Sequence, residues 1–297
     1  MFDFLIHVLI MCCLYSMLAL SLNLQVGFGG LMNFGQIALF GCGAYGAALA
    51  YKYDLGFASG ILIAVGLSAF VSWAFAGIGR NLQSDYWGIA TLALAEVVRI
   101  IVTNEGWLTG GAQGISGIKP LLPELSGRSQ QLGNLAICGA VLLVALLACM
   151  RLTRSRYGLG LKLMREEPQL AQSVGYDIMS LKRGCMIFSG FIAAAAGFIF
   201  AHYITFVGPD QMFSSETFLI WAMIVIGGLG NHFGAVFGAF LLQFIFAFIP
   251  FVKDMLGLPT EFVAAMRLVL IGGGLIGFIL WRRTGLFPEK VGGRADG

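Results

Sequence analysis

Glu96 and Arg99 stand three residues apart inside YWGIATLALAEVVRI, an apolar run long enough to cross a lipid bilayer. On a helix beginning near Tyr86 they share a face and can pair. At about 1.5 Å per residue, Glu96 lies near the bilayer midplane. Two roles suit such a pair: an ion pair that fixes one helix against its neighbours, or a polarised border to a permeation path that tolerates a zwitterionic solute. Asn33 and Gln36 are a second intramembrane polar pair, set in the Gly-rich stretch GFGGLMNFGQIALFGCGAY, and are also path candidates. Covalent chemistry has little to rest on. His7, His202 and His232 are scattered without a second ligand at helical or loop spacing, so no metal site is expected. No Ser, Cys or Asp stands in a nucleophile motif. The six Cys, at 12, 13, 42, 138, 149 and 185, lie in or beside apolar runs and read as small packing residues. No Gly-x-x-x-x-Gly-Lys-Ser/Thr loop occurs, so any nucleotide-driven step requires another subunit.

The polar exception to the apolar chain is residues 151–183, which hold seven of its eighteen Lys and Arg: Arg151, Arg154, Arg156, Lys162, Arg165, Lys182 and Arg183. Within it, Pro168 suits the first position of a helix, Glu166 and Glu167 complement the positive end of its dipole, and Gly175 is a terminator. The pattern predicts a short helix from Pro168 to Val174. It suits either a surface helix on anionic lipid or a handle for a cytoplasmic partner. A second loop, NEGWLTGGAQGISGIKP, places Gly110, Gly111, Gly114 and Gly117 where tight turns are needed, with Thr109, Gln113 and Ser116 between them. It is either a connector of awkward shape or a docking or gating surface for an external partner.

Composition says what must position these residues. Of 297 residues, 58% are hydrophobic and only 11% charged, against roughly 25% charged in soluble chains. The chain is therefore expected to be all-α and polytopic in a membrane, and its net charge of +3 is orientation information and not a nucleic-acid footprint. The first apolar run lacks a basic leader and a cleavage site, so it reads as a retained span. Nine runs approach the roughly 20 residues that a span needs: 4–22, 31–51, 57–79, 86–103, 132–151, 184–206, 216–230, 233–252 and 263–281. The second is broken by Asn33, Gly35, Gln36 and further Gly and reads as partly re-entrant; eight to ten crossings bound the count. The positive-inside rule places 151–183 and the tail 282–297 in the cytoplasm. Arg80 then also lies inside, and the loop 104–131 and the N-terminus lie outside. One membrane domain covers 1–297. An echo between GFGGLMNFGQIALFGCGAYGAALA and IGGLGNHFGAVFGAFLLQ suggests an inverted repeat.

REEPQLAQSVGYD is similar to the cytoplasmic coupling loop of ABC-importer permeases of the branched-chain amino-acid class. GFGGLMNFGQIALFGCGAY, YWGIATLALAEVVRI, LTGGAQGISGI, AHYITFVGPDQMF and MIVIGGLGNHFGAVFGA resemble successive blocks of that family, in order, over most of residues 27–239. The pattern looks like the LivM-type permease and not its LivH-type partner. The resemblance implies a subunit moving branched-chain or other hydrophobic amino acids through the bacterial inner membrane. Its implied partners are a related LivH-type permease, an external or periplasmic solute-binding protein, membrane lipid, and two cytoplasmic ATPases that carry the ATP and Mg. It implies that Arg165, Glu166, Glu167, Ala171 and Gly175 form or support the ATPase contact. Relatives serving urea, amides or aromatic acids are an alternative, as is an ion-coupled secondary transporter with Glu96 as its coupling carboxylate.

Overall fold

The computed structural model describes residues 2–78, 84–256 and 285–288, with isolated positions at 266, 269, 272, 273, 276 and 277. Arg80, most of the run 263–281 and most of the tail 282–297 lie outside these residues. Helices dominate: α1 (Phe2–Asn23), α2 (Gln36–Lys52), α3 (Phe57–Ile78), α4 (Ser84–Asn104), α5 (Gly106–Thr109), α6 (Arg128–Thr153), α7 (Arg156–Glu166), α8 (Pro168–Ser173), α9 (Ile178–Ile204), α10 (Ser214–Gly227) and α11 (His232–Leu256). Among the described residues, the departure from all-α structure is a two-residue antiparallel pair, β1 (Ile115–Ser116) with β2 (Phe206–Val207).

Among the described residues, six helical stretches are long and apolar enough to cross a membrane: Phe2–Phe28, Phe57–Ile78, Tyr86–Asn104, Arg128–Thr153, Ile178–Ile204 and His232–Phe251. In hydrocarbon every backbone N–H needs an internal acceptor, which a helix supplies within one segment. Two further runs do not reach that length. The run at 216–230 becomes the 14-residue α10. The run at 31–51 is irregular until Gln36 and gives the 17-residue α2. The partly broken character read from Asn33, Gly35 and Gln36 is therefore seen, and a count of nine is not reached among the described residues.

The short α2 is the centre of the bundle. It packs principally against α9 and α3 and is buried along nearly its whole length. Glycine makes that approach possible. A β-carbon on Gly43 would overlap the backbone of Ala194 in α9, one on Gly197 the carbonyl of Phe40, and one on Gly46 the backbone of Ala64 in α3. Small residues at such crossings bring backbones together and substitute van der Waals contact for the hydrophobic effect, which is absent between helices in lipid. All six cysteines are buried and free.

Contacts divide the molecule into two ends. At one end lie the close of α1, the pair α7–α8, the turn between α10 and α11, and residues 285–288. There Gly230 N–H donates to Asn23 Oδ1 at 3.0 Å, and Leu286 and Phe287 N–H donate to Ile226 and Gly227 carbonyls at 2.9 Å each. At the other end, Asp3 faces Arg128 and His7 meets Tyr203 Oη at 2.7 Å. The Gly-rich loop is held there too. Lys52 Nζ donates to the Trp107 and Leu108 carbonyls at 2.6 and 3.0 Å, and β1 pairs with β2. Thr205, in the left-handed region at φ 59°, closes α9. Its carbonyl accepts from Gly117 and Ile118 N–H, which offsets the strain of a β-branched residue there.

Candidate functional site

The most concentrated polar chemistry is a buried knot where α1 ends and α2 begins. After Asn23 the helix widens into a π-turn, Leu24–Phe28, which swings Gln25 inward. Such a turn inserts one extra residue and is frequent at functional sites. Gln25 Nε2 donates to Gln36 Oε1 at 3.0 Å and to Ser189 Oγ of α9 at 2.6 Å. Asn33 Nδ2 donates to Gln25 Oε1 at 2.8 Å and Gln36 Nε2 to Ser21 Oγ at 2.7 Å. Ser21 closes the set on the Ser189 carbonyl at 2.6 Å. All five side chains are fully buried. Unbonded, such groups would cost several kcal/mol each in an apolar interior, about 2–7 by transfer scales; bonded to one another, they fix a single arrangement.

The irregular stretch between the two helices is satisfied by α4, by α10 and by its own Asn33. Phe34 N–H donates to Thr91 Oγ of α4 at 3.1 Å, Gly35 N–H to Asn33 Oδ1 at 2.7 Å, Ile37 N–H to Thr217 Oγ of α10 at 3.2 Å, and Trp221 Nε1 to the Asn33 carbonyl at 2.9 Å. Non-helical backbone at membrane depth is tolerated where protein covers it in this way. Asn33 and Gln36 are thus brought together and brace the start of α2. Their knot partners Ser21, Gln25 and Ser189 escaped the sequence reading. The available signal was Gln25 itself, an amide lodged in an apolar run of spanning length.

Glu96 and Arg99 lie elsewhere, on the outward side of α4. Arg99 Nε reaches both carboxylate oxygens of Glu96 at 3.0 Å, and its Nη2 donates to Oε1 as well. The guanidinium sits over the Phe213 ring at 5.0 Å. The side chains remain 21% and 41% exposed for Arg99 and Glu96. Beside them is an aromatic face: Phe34 against Trp221 and Phe218 at ring separations of 4.9 and 5.6 Å, with Phe213 and Phe218 exposed. Among the described hydrogen bonds, none joins this pair to the knot.

The basic segment folds as two helices. Ser155 caps α7, its Oγ accepting from Gly158 N–H at 3.4 Å. This helix was missed because Gly158 and Gly160 disfavour helix. Both are needed for contact, since a β-carbon would meet Thr153 at Gly158 and the Tyr176 ring at Gly160. Tyr157 Oη donates to the Leu181 carbonyl at 2.8 Å, and burial pushes its phenol up. The expected short helix is present as α8, with Pro168 at its first position, Val174 as C-cap and Gly175 at φ +95°. Glu166, Glu167 and Gly175 are exposed, whereas Ala171 is fully buried. Arg165 points into the bundle. It donates to the Gly27 carbonyl in the π-turn, packs over Gly30, and pairs with Glu166 at 3.0 Å. One side chain therefore links the α7–α8 pair to the turn that holds Gln25.

In the Gly-rich loop, Thr109 Oγ donates to the Val102 and Glu105 carbonyls at 2.6 and 2.8 Å, which closes α5 on α4. Gly110, Gly111, Gly114 and Gly117 all have positive φ. A β-carbon on Gly114 would overlap the Val207 carbonyl, so this turn fits against β2 only as glycine. Gln113 is exposed.

A family profile described as "Branched-chain amino acid transport system / permease component" matches residues 4–279. The chain belongs to this permease family. The LivM protein of the high-affinity branched-chain amino acid transport system of Salmonella typhimurium is 29% identical over 94% of this permease and 68% of its own length. A probable LivM of Methanocaldococcus jannaschii is 26% identical over 97% and 94%. The autoinducer 2 import system permease LsrC of Enterobacter sp. is 27% identical over 86% and 71%. In three dimensions the permease resembles a chain of PsaBC from Streptococcus pneumoniae in complex with Fab. The TM-score is 0.51 at 14% identity, with 94% and 92% of the two chains covered; this likeness is one of fold. The protein is thus a multi-pass membrane permease of LivM type, a subunit of an ABC importer. Among the described residues, no group of three or more His, Cys, Asp or Glu could hold a metal.

Proposed function

We propose that this permease carries branched-chain or other hydrophobic amino acids inward across the bacterial cytoplasmic membrane, paired with a LivH-type permease. Two cytoplasmic ATPases, bearing the ATP and Mg, drive the cycle, and an external binding protein delivers the solute. The names of the LivM relatives support the substrate class. The whole chain acts as one membrane domain with nine crossings, its N-terminus outside and 151–183 and 282–297 inside. The shared end of α7–α8 and residues 285–288 agrees with that orientation. An inverted repeat is supported by the abutment of its two Gly-rich starts, Gly27 against Gly230.

The observation that carries the mechanism is the Arg165 link. The ATPases grip the exposed surface around Glu166, Glu167 and Gly175, while buried Ala171 seats α8. Displacement of α7–α8 then reaches Gly27, the π-turn and Gln25 through the charge-assisted hydrogen bond from Arg165 to the Gly27 carbonyl, with Lys162 over the Phe28 ring beside it. Gln25 holds Asn33 and Gln36, so the start of α2 is biased between two arrangements, as alternating access requires. The Glu96–Arg99 pair and its aromatic flank face the second permease and border the path between them, and the loop at Thr109, Gly110, Gly111 and Gln113 receives the binding protein. In proteoliposomes containing the complete importer, Arg165→Glu should leave ATP hydrolysis within about twofold and cut solute uptake per ATP about tenfold, the equivalent of 1.4 kcal/mol of lost coupling. Unchanged uptake per ATP would reject the route.

A further inference from the structure

We propose that a cavity walled by α2, α3, α9 and the loop 119–123 binds a free hydrophobic amino acid, at a site that shares no residue with the buried knot or the Glu96–Arg99 pair. It measures about 290 Å³, at the small end of the range of about 300–1,000 Å³ for ligand pockets. Its wall is mostly apolar, with Ala47 and Ala50 from α2, Phe57 from α3, Phe198 from α9 and Leu121 from the loop. Phe57 stands edge-on to Phe198 at 5.3 Å. Both flanks are pinned to the bundle. His202 Nδ1–H donates to the Lys119 carbonyl at 2.6 Å. Asp54 and Leu55 N–H donate to the Tyr51 and Ala50 carbonyls at 3.1 and 2.9 Å.

The charged residues that line the cavity are Asp54 and Lys119, one of each sign. Both are exposed, and among the described residues neither side chain forms an ion pair or a hydrogen bond. Opposite charges that line one cavity without meeting each other suit a ligand that carries both. A simple anion gains from Lys119 and loses to Asp54, and a simple cation the reverse; an α-carboxylate with an α-ammonium answers both. The apolar wall takes the side chain, which favours a hydrophobic amino acid over a polar one. A zwitterionic phospholipid offers the same two charges, but a volume of this size holds one short side chain and not a pair of acyl chains. The site rests on the proposed function only for its side of the membrane, since it lies at the end that bears Lys52 and the Gly-rich loop.

The test is binding of radiolabelled leucine to the purified membrane complex with its ATPases, without the binding protein, in nanodiscs of phosphatidylglycerol. Unlabelled leucine should compete about fivefold better than isopentylamine, which lacks the carboxylate, and than 4-methylpentanoate, which lacks the ammonium, as for one partly exposed charge contact each. Lys119→Gln should erase the preference over isopentylamine and keep that over 4-methylpentanoate. Asp54→Asn, which suits the left-handed φ of 52° equally well, should do the reverse. A merely structural role for either residue would not split the two competitors. Unchanged preferences in both variants overturn the proposal, as does a wild type that binds no leucine or binds the three compounds alike. Leucine binding lost in Glu96→Gln but intact in the two cavity variants places the ligand in the path and also overturns it. Displacement by added phosphatidylethanolamine overturns it in favour of a lipid headgroup. Should either variant fail to fold, the wild-type competition series decides alone. A complete importer that takes up no amino acid while these preferences persist removes the transport reading and leaves the site standing; uptake without the preferences removes the site alone.

Discussion

At the scale of single residues, the knot of Ser21, Gln25, Asn33, Gln36 and Ser189 is where substitution is felt most. Gln25 makes three of its bonds. Removing one partner leaves the others buried and unbonded, which costs about 1–3 kcal/mol per orphaned group. Gln25→Leu should therefore lower the thermal midpoint in detergent more than Ser189→Ala, which deletes a hydroxyl and leaves the Gln25–Gln36 and Gln25–Asn33 bonds in place. A Gln25→Leu protein as stable as wild type would mean that the knot is not a structural brace. Glu96 and Arg99 behave differently because they are partly exposed on an outer face. Glu96→Gln keeps an amide oxygen that can accept from Arg99, so the thermal midpoint in detergent should fall less than in Gln25→Leu. Its effect should fall on uptake by the assembled importer. If uptake and expression are both unchanged, the pair has no part in the path.

At the scale of elements, α2 is the critical one, because its neighbours meet it backbone to backbone. Gly43→Val places side-chain atoms where the Ala194 backbone lies. Overpacking of this kind costs about 1–3 kcal/mol, and the expected result is loss of monodisperse protein on size-exclusion chromatography. Gly77→Val in α3, where nothing lies within 4 Å, is the matched control. The elements also show what could be read from sequence. Long apolar runs give α1, α3, α4, α6, α9 and α11 because a lipid span demands an unbroken helix of fixed length. Pro168 and Gly175 give α8 because each has a single backbone preference that suits one end of a helix. The π-turn has no such signature: it is set by the tertiary pull of Ser189 and Gln36 on Gln25. In α7 the glycines argue locally against helix, and only the packing of Tyr176 and Thr153 against them explains their presence. Glu96 and Arg99 were legible as a pair from spacing alone, whereas their outward position depends on how α4 is rotated.

At the scale of the whole molecule, the two ends carry different surfaces. Gln113 and Ser173 are both exposed, at opposite ends. In intact cells, a cysteine placed at Gln113 should react with a membrane-impermeant maleimide, and one at Ser173 only after the membrane is opened; the reverse pattern would invert the proposed orientation. A permease subunit acting with separate motors should also be inert when reconstituted alone under an ion gradient and active when the ATPases and binding protein are supplied.

The burial of every native sulfhydryl has a practical corollary. Because Cys12, Cys13, Cys42, Cys138, Cys149 and Cys185 are all walled off from solvent, the unaltered chain is its own silent background. Spin labels or fluorophores can be attached in pairs at the two ends, and the distance between them followed through a turnover cycle, without first stripping out six residues that the interior depends on for its fit.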